Sequence, residues 1–241
     1  TMHGSLGPSA AVAQLTEGDL TIWTHSQGVF PTREIIAPVV GVPVEKIRVV
    51  HYEGAGCYGH NGADDAALDA ALLARHVPNR PVSLKWMRED EHKWEPYGPA
   101  MSVDIEASVD ESGQIVAWNF EGWSYPHLGR GRPSETESGL VGAWHMERGW
   151  TRPEPQPSLW PHVGGHRNLE PLYELPNKRE IFHFVPESPL RTSTLRALGA
   201  FGNVFAIESM MDELAFAAGV DPLEFRLRHL RDERARAVLE A

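Results

Sequence analysis

Residues 53–91 read EGAGCYGHNGADDAALDAALLARHVPNRPVSLKWMREDE, a glycine-rich loop followed by an alanine-rich segment and an apolar run. The alanine-rich segment has apolar residues at helical spacing over about 64–76. Residues 82–87 form the next predicted strand, and the β-rich run 47–52 precedes the loop. This succession of strand, loop, helix and strand predicts a mixed α/β domain.

The rest of the chain adds elements that would place helices on mixed sheets. Strands are predicted over 19–25, 102–109, 114–125 and 180–185, and helices over 32–40, 203–218 and from Pro222 onward. Residues 110–113 should join two of the strands in a hairpin. Pro38 is expected to kink or end its helix. Gly219 should end one helix and Asp221 should cap the next.

Two helices carry further signals at their ends and faces. The helix after the glycine-rich loop can be capped by Asn61 or Asp64, and acidic residues suit a helix N-terminus. The last helix is expected to pack through an apolar stripe of Leu223, Leu227 and Leu230.

The predicted elements divide the chain into three parts of one domain. Residues 1–125 form a strand and helix half with the glycine-rich loop, and residues 180–241 hold a strand and the C-terminal helices. Between them, residues 126–179 are rich in Gly, Pro, His and Trp, which is typical of a long irregular insertion. A loop of that length inside a compact domain is usually functional or inserted.

Composition excludes several classes of function. The net charge of -11 argues against a nucleic-acid partner, which would need a basic surface. Cys57 is the single cysteine, so no disulfide framework can form. No apolar run reaches the roughly 18 residues of a membrane span. The chain begins at Thr1 without a signal-peptide pattern, so we expect a cytoplasmic piece of a longer protein, or a periplasmic one if an export signal precedes it.

The loop itself supports three interpretations. Gly54, Gly56 and Gly59 form a GxGxxG pattern between a strand and a helix, as in dinucleotide-binding sites. Against this, Asp64 and Asp65 lie where the helix dipole would bind a pyrophosphate, and their charge should repel it. A second interpretation is a tight structural turn in which glycines supply positive φ. The third depends on sequence blocks outside the loop.

Three blocks occur in a fixed order along the chain. Trp23-Thr-His-Ser-Gln-Gly28 followed by Gly41-Val-Pro43 comes first, residues 53–91 come second, and Leu195-Arg-Ala-Leu-Gly199 through Asp221-Pro-Leu-Glu-Phe-Arg226 come third. Together they resemble the molybdopterin-binding large subunit of the xanthine dehydrogenase and aldehyde oxidase family. With Cys57-Tyr58 in place of the commoner Phe-Gly, the loop is most similar to isoquinoline 1-oxidoreductase β-subunit-like proteins.

The resemblance implies a molybdenum hydroxylase. Such an enzyme oxidises a C–H bond of an aldehyde or an N-heterocyclic aromatic compound, with water as the oxygen source. Its implied cofactor is molybdopterin with molybdenum, in the cytosine dinucleotide form. Electrons would pass to 2Fe-2S clusters on a small iron–sulfur subunit. The implied partners are therefore that subunit, the remainder of the large subunit and a small-molecule substrate.

The resemblance also assigns roles to individual residues. Arg196 would orient the substrate and stabilise negative charge on it in the transition state. The alternative for Arg196 is an ion pair, for example with Glu208, and Arg226 has a similar alternative with acids near Glu224. The residues implied to contact the cofactor are Gln27, Gly56, Cys57, Tyr58, Gly59, Gly199 and Arg226.

No residue of this chain is predicted to ligate a metal directly. The family binds molybdenum through the dithiolene sulfurs of the pterin, so we interpret Cys57 as a packing residue beside the cofactor. His162 and His166 have the spacing of metal ligands, but they lie in a Pro/Gly-rich loop without a third ligand nearby.

One catalytic part of the family has no counterpart in this sequence. The resemblance implies a glutamate general base near the C-terminus of the large subunit, and we find no equivalent before Ala241. The chain is therefore expected to form one wall of the site and to be inactive alone. The alternative is a non-catalytic structural or binding domain that keeps the fold without the cofactor.

Overall fold

The architecture is taken from a computed structural model that describes residues 1–158 and 160–241. The described residues form two compact units that alternate along the chain. The first unit contains Thr1–Pro99, Pro126–Gln156 and Pro186–Arg196, and the second contains Ala100–Tyr125, Pro157–Val185 and Ala197–Ala241.

The first unit is built on a four-stranded mixed sheet. Its strands are β1 (Ala10–Thr16), β2 (Asp19–Thr24), β3 (Ile47–His51) and β4 (Val82–Lys85), in the order β3-β2-β1-β4. β1 is antiparallel to both β2 and β4, while β2 and β3 are parallel. The glycine-rich loop leaves the C-terminal end of β3, and this end of the sheet therefore positions it.

Four helices belong to the first unit: α1 (Val29–Val40), α2 (Ala63–Ala74), α3 (Arg88–Trp94) and α4 (Val141–Trp144). Six alanines of α2 are almost fully buried, and they let the helix approach the sheet closely. The N-cap position of α2 is Gly62. Asn61 supports this end, because its Oδ1 accepts the Ala63 N–H at 3.1 Å.

Helix α1 corrects one expectation. Pro38 lies inside the helix rather than ending it, and α1 continues to Gly41, which adopts a left-handed conformation with φ 65°. The Gly41 N–H closes the last turn on the Ala37 carbonyl at 3.0 Å. Loss of the Pro38 N–H is therefore tolerated near the end of a helix whose one face is buried.

The second unit contains a three-stranded sheet covered by helices. The strands β5 (Met101–Val109), β6 (Ile115–Ser124) and β7 (Lys178–Phe184) lie in that order, and β5 and β6 form the hairpin predicted at residues 110–113. The helices are α5 (Ala200–Ala218), α6 (Pro222–His229) and α7 (Glu233–Glu240). α5 packs on β5, and Ile207, Met211 and Leu214 face the core at the predicted helical spacing.

Helix α6 has the predicted N-cap but a different buried face. Leu223 is 45% exposed, whereas Phe225 is fully buried and His229 is 3% exposed. The expected stripe is therefore wrong at its first position. His229 defines the buried face because its Nε2 accepts the Ile115 N–H at 3.2 Å and its Nδ1–H donates to the Phe225 carbonyl at 2.8 Å.

The predicted fold class is confirmed, since both units place helices on mixed sheets. The three-part division at residues 125 and 179 stays a prediction. Within 126–158 and 160–176, α4 is the only helix or strand among the named elements. None of the helices in the described part of the chain is both long enough and apolar enough to cross a membrane.

The cap of α6 can be tested directly. Asp221 Oδ1 accepts the N–H groups of Leu223 at 2.9 Å and Glu224 at 3.1 Å. We expect Asp221→Ala to lower the free energy of unfolding by about 1 kcal/mol, while Asp221→Asn, which keeps an acceptor oxygen, stays near the parent value. Urea unfolding measures both, and equal losses in the two variants would contradict the cap.

Candidate functional site

Two backbone hydrogen bonds join the glycine-rich loop to the segment that carries Arg196. The His60 N–H donates to the Thr194 carbonyl at 2.8 Å, and the Arg196 N–H donates to the Tyr58 carbonyl at 2.7 Å. Gly59 lies between these bonds with φ 119°, and a Cβ there would lie 2.1 Å from the Thr194 oxygen. Glycine is therefore required at position 59 by close backbone packing within the protein.

The loop carbonyls and the loop N–H groups have different partners. The carbonyls of Ala55, Gly56, Tyr58 and Gly59 accept hydrogen bonds from protein N–H groups. The N–H groups of residues 54–58 have no acceptor in the part of the chain that the structure describes, while the Gly59 N–H contacts the Cys57 sulfur. A run of unpaired N–H donors is suited to bind the oxygen atoms of an anionic or polar group.

Cys57 of the loop lies beside Gln27, and cofactor binding by either residue stays a prediction. The Cys57 thiol lies 3.7 Å from Gln27 Oε1 and donates to the Gly59 carbonyl at 3.1 Å. Burial raises the pKa of the Cys57 thiol.

Arg196 is exposed and its guanidinium has no hydrogen bond or ion pair among the described residues. Its possible partner Glu208 is bound by Arg226 instead, with Nε to Oε2 at 2.7 Å. The two residues after Arg196, Ala197 and Leu198, have positive φ angles of 75° and 52°. Such strain in non-glycine residues is typical of functional sites.

A buried ionic network lies next to the loop. The sequence did not predict it. Asp64 is 1% exposed and forms an ion pair with Arg130, while His60 Nε2 lies 3.3 Å from its Oδ2. Burial acts to raise the pKa of Asp64, but His60 and Arg130 outweigh it and hold that pKa below its ordinary value. Burial lowers the pKa of His60 to about 3, so its imidazole is neutral at pH 7.

The neighbouring Asp65 has its own partner. Both of its oxygens accept from Arg191 Nη2, at 3.0 and 2.9 Å, and Oδ1 also accepts the Val141 N–H at 2.9 Å. Two adjacent acids at the start of an alanine-rich helix could have indicated buried ion pairs. The sequence offered no way to choose their arginines, which lie 66 and 126 residues further along the chain.

The pairing also corrects the argument against a dinucleotide site. We expected Asp64 and Asp65 to repel a pyrophosphate, but both carboxylates are neutralised by arginines inside the unit. The topology excludes that site instead. In this unit β3 is an edge strand that pairs only with β2, in parallel. β2 then pairs antiparallel with β1, so β3 is not the first strand of a parallel βαβ sheet.

Two predicted cofactor contacts, Gly199 and Arg226, belong to the second unit. The Gly199 N–H donates to the Gly164 carbonyl at 3.1 Å, and a Cβ at Gly199 would lie 2.0 Å from the Gly165 oxygen. Arg226 pairs with Glu208 and with Asp212, each at 2.7 Å. These contacts support structural roles, and cofactor binding by either residue stays a prediction.

His162 and His166 do not form a metal site with a third ligand among the described residues. His166 Nε2 lies 2.8 Å from the Trp160 carbonyl. Across residues 1–158 and 160–241, no group of three or more His, Cys, Asp or Glu side chains is arranged to hold a metal ion.

A second buried pair supports the Thr194 turn from the other side. His3 Nε2 lies 3.0 Å from the Thr194 carbonyl, and the His3 N–H donates to Glu95 Oε1 at 3.0 Å. The Glu95 side chain is fully buried, and burial raises its pKa to about 7. Thr194 is thus held by His3 and by His60, and this double contact fixes the start of the segment that leads to Arg196.

The fold and the loop define a cofactor-binding module. The family model of the molybdopterin cofactor-binding domain matches residues 1–126 and 138–230, and the chain belongs to this family. The resemblance predicted from the three sequence blocks is therefore confirmed.

Particular relatives agree with this assignment. The chain is 38% identical to a component of the nicotinate dehydrogenase of Pseudomonas putida over 241 residues, which are all of this chain and 19% of that protein. It is 27% identical to the β component of isoquinoline 1-oxidoreductase of Brevundimonas diminuta, over 92% of this chain and 26% of the relative. Its fold matches the aldehyde oxidoreductase of Desulfovibrio gigas with a TM-score of 0.68 at 21% identity, over 94% of this chain and 22% of that one. The chain therefore spans only about a fifth to a quarter of each.

Close packing at Gly59 gives a second test. Gly41 also has positive φ, but no atom lies within 4 Å of a Cβ built there. We expect Gly41→Ala to cost about 1 kcal/mol of unfolding free energy, from backbone strain alone. Gly59→Ala should cost at least about 3 kcal/mol, because strain and overpacking add. Chemical unfolding measures both, and similar losses would contradict the close packing.

Glu95 predicts a pH dependence. Between its ordinary pKa of 4.5 and its raised value of about 7, the folded protein keeps a proton that the unfolded chain releases. Stability due to Glu95 therefore falls as pH rises through this window and levels off above it. Relative to Glu95→Gln, the parent protein should lose about 1.4 kcal/mol per pH unit. Parallel curves for the two proteins from pH 5 to 7 would contradict this.

Proposed function

We propose that this chain forms the part of a molybdenum hydroxylase that holds the molybdopterin cofactor and orients the substrate. The substrate class is an aldehyde or an N-heterocyclic aromatic compound, and water would supply the oxygen. The observation that carries the proposal is the loop 54–59, in which the N–H groups of residues 54–58 lack acceptors among the described residues and which adjoins the exposed, unpaired Arg196. The family assignment supports the choice of cofactor.

The donor set of the loop fits such a group. Backbone N–H donors from residues 54–58 can bind oxygen atoms, and Gly54 and Gly56 add no side chain of their own beside these donors. Gln27 would add an amide beside Cys57, and the protonated thiol would contribute a nonpolar contact. When bound, the cofactor supplies the two-electron redox chemistry that side chains cannot perform.

Arg196 has the properties of a substrate-binding residue. Its backbone is fixed by the bond to Tyr58, and no carboxylate of the described residues neutralises its charge. A guanidinium so placed can accept a planar, electron-poor substrate and stabilise the negative charge that develops on it.

The remaining parts of the enzyme are expectations from the family. We infer the cytosine dinucleotide form of the cofactor, 2Fe-2S clusters on a small partner subunit as electron acceptors, and a general-base glutamate supplied from outside these 241 residues. The chain alone should therefore not turn over. We expect the assembled enzyme in the cytoplasm, or in the periplasm if it is exported.

The role of Arg196 can be tested in the assembled enzyme. We expect Arg196→Ala to lower turnover by about 100-fold or more, because one charged donor to the transition state is lost. Its melting temperature should stay within about 1 °C of the parent, since no protein contact breaks. Steady-state kinetics and calorimetry measure these changes.

Arg80 provides the matched control, because it is also an exposed arginine without a side-chain partner among the described residues. Arg80→Ala should leave both turnover and stability unchanged. If Arg196→Ala lowers stability in parallel with turnover, its role is structural. A correctly assembled enzyme without stoichiometric molybdenum and pterin would instead favour a non-catalytic domain of the same fold.

A further inference from the structure

The carboxylate of Asp64 is the centre of a contact network. This network adjoins three predicted site elements, namely Gln27, the loop 54–59 and the segment that leads to Arg196. The carboxylate pairs with Arg130, faces His60 Nε2 at 3.3 Å, and lies beside the Ser26 hydroxyl, which lowers its pKa. All of these residues belong to the first unit. Ser26 immediately precedes Gln27, and His60 immediately follows Gly59.

The donors around His60 determine the direction of its hydrogen bonds. The Gly129 N–H donates to Ser193 Oγ at 2.9 Å, and Ser193 Oγ lies 2.8 Å from His60 Nδ1. The serine hydroxyl can therefore give its own proton to Nδ1, which leaves the imidazole proton on Nε2, facing Asp64. Ser193 and His60 are 1% and 2% exposed, so water does not compete for these bonds.

His60 thus contacts the segment before Arg196 at two points. Its backbone N–H bonds the Thr194 carbonyl, and its ring bonds the Ser193 side chain. The Arg196 guanidinium has no contact of its own among the described residues. Its position is therefore set by the backbone of residues 193–196, which His60 and Tyr58 hold against the loop.

We propose that His60, held by Asp64, is a positioning residue that sets the placement of Arg196 through Ser193 and Thr194. This inference rests on the proposed function of Arg196 as the substrate-orienting residue. A neutral imidazole suits the role because its Nδ1 can accept from Ser193, while its Nε2 lies 3.3 Å from the Asp64 carboxylate without a hydrogen bond to it. Leucine has a similar size but cannot accept from Ser193, while glutamine can.

Hydrogen exchange tests the positioning without using turnover. In the full protein with its partner subunits, His60→Leu should speed exchange of the amides at 193–196 by about 10-fold or more, because the contact of the ring with Ser193 is lost. The hairpin at 101–124 should exchange at the parent rate. His60→Gln should stay close to the parent in both segments. Unchanged exchange at 193–196 in His60→Leu would overturn the proposal.

Kinetics test whether the effect passes through Arg196. We expect His60→Leu to lower kcat by about 10- to 100-fold, with molybdenum and pterin content retained and largely rescued activity in His60→Gln. In an Arg196→Ala background, His60→Leu should cost no more than about a further 2-fold, because the residue that it positions is gone. His76→Gln, at an exposed histidine, serves as the control and should match the parent.

The outcomes separate the two proposals. If His60→Leu lowers kcat by the same factor in the parent and in the Arg196→Ala background, the positioning role is overturned. The proposed function of Arg196 is then still intact. Equal damage from His60→Gln and His60→Leu would overturn it as well. If Arg196→Ala itself leaves turnover unchanged, the proposed function of Arg196 fails, and the exchange rates at 193–196 still decide whether His60 orders that segment.

Discussion

Two carboxylates in the first turn of a buried helix constrain the first unit more than any other feature. Asp64 and Asp65 are 1% and 0% exposed, and an unpaired charge at such a depth would be very unfavourable. Arg130 and Arg191 resolve this, and they also fix two distant segments against α2. Breaking one such pair typically costs about 3–5 kcal/mol because the remaining charge stays buried.

The same ion pairs connect stability to the proposed site. Arg191 belongs to the segment that continues into Arg196, and Asp64 contacts the residue that bonds Thr194. The glycine-rich loop is consequently supported by the buried Asp64–Arg130 ion pair next to His60 and by the backbone hydrogen bonds to Thr194 and Arg196. The N–H groups of residues 54–58 are left without protein acceptors in the described residues, so the loop is organised before any group binds to it.

The sequence predicted what depends on local chemistry. The hairpin at 110–113 and the Asp221 cap follow from turn residues and capping preferences. The loop residues and Gln27 were found through the family resemblance, and the structure places Gln27 beside Cys57. What could not be predicted is long-range pairing, because nothing local distinguishes Arg130 or Arg191 from other arginines. The prediction of the buried face of α6 was wrong at Leu223 for a similar reason. His229 faces the core because it accepts a hydrogen bond from the Ile115 N–H of another element.

The central claim is that the loop 54–59 and Arg196 face the cofactor. Anomalous scattering at the molybdenum edge, in crystals of the full assembled enzyme, tests it most directly. We expect the pterin or the oxygen ligands of the metal within about 3 Å of at least one N–H group of the loop, with Arg196 in the adjoining substrate space. A molybdenum position remote from the loop, with those N–H groups bound only to water, would contradict the account.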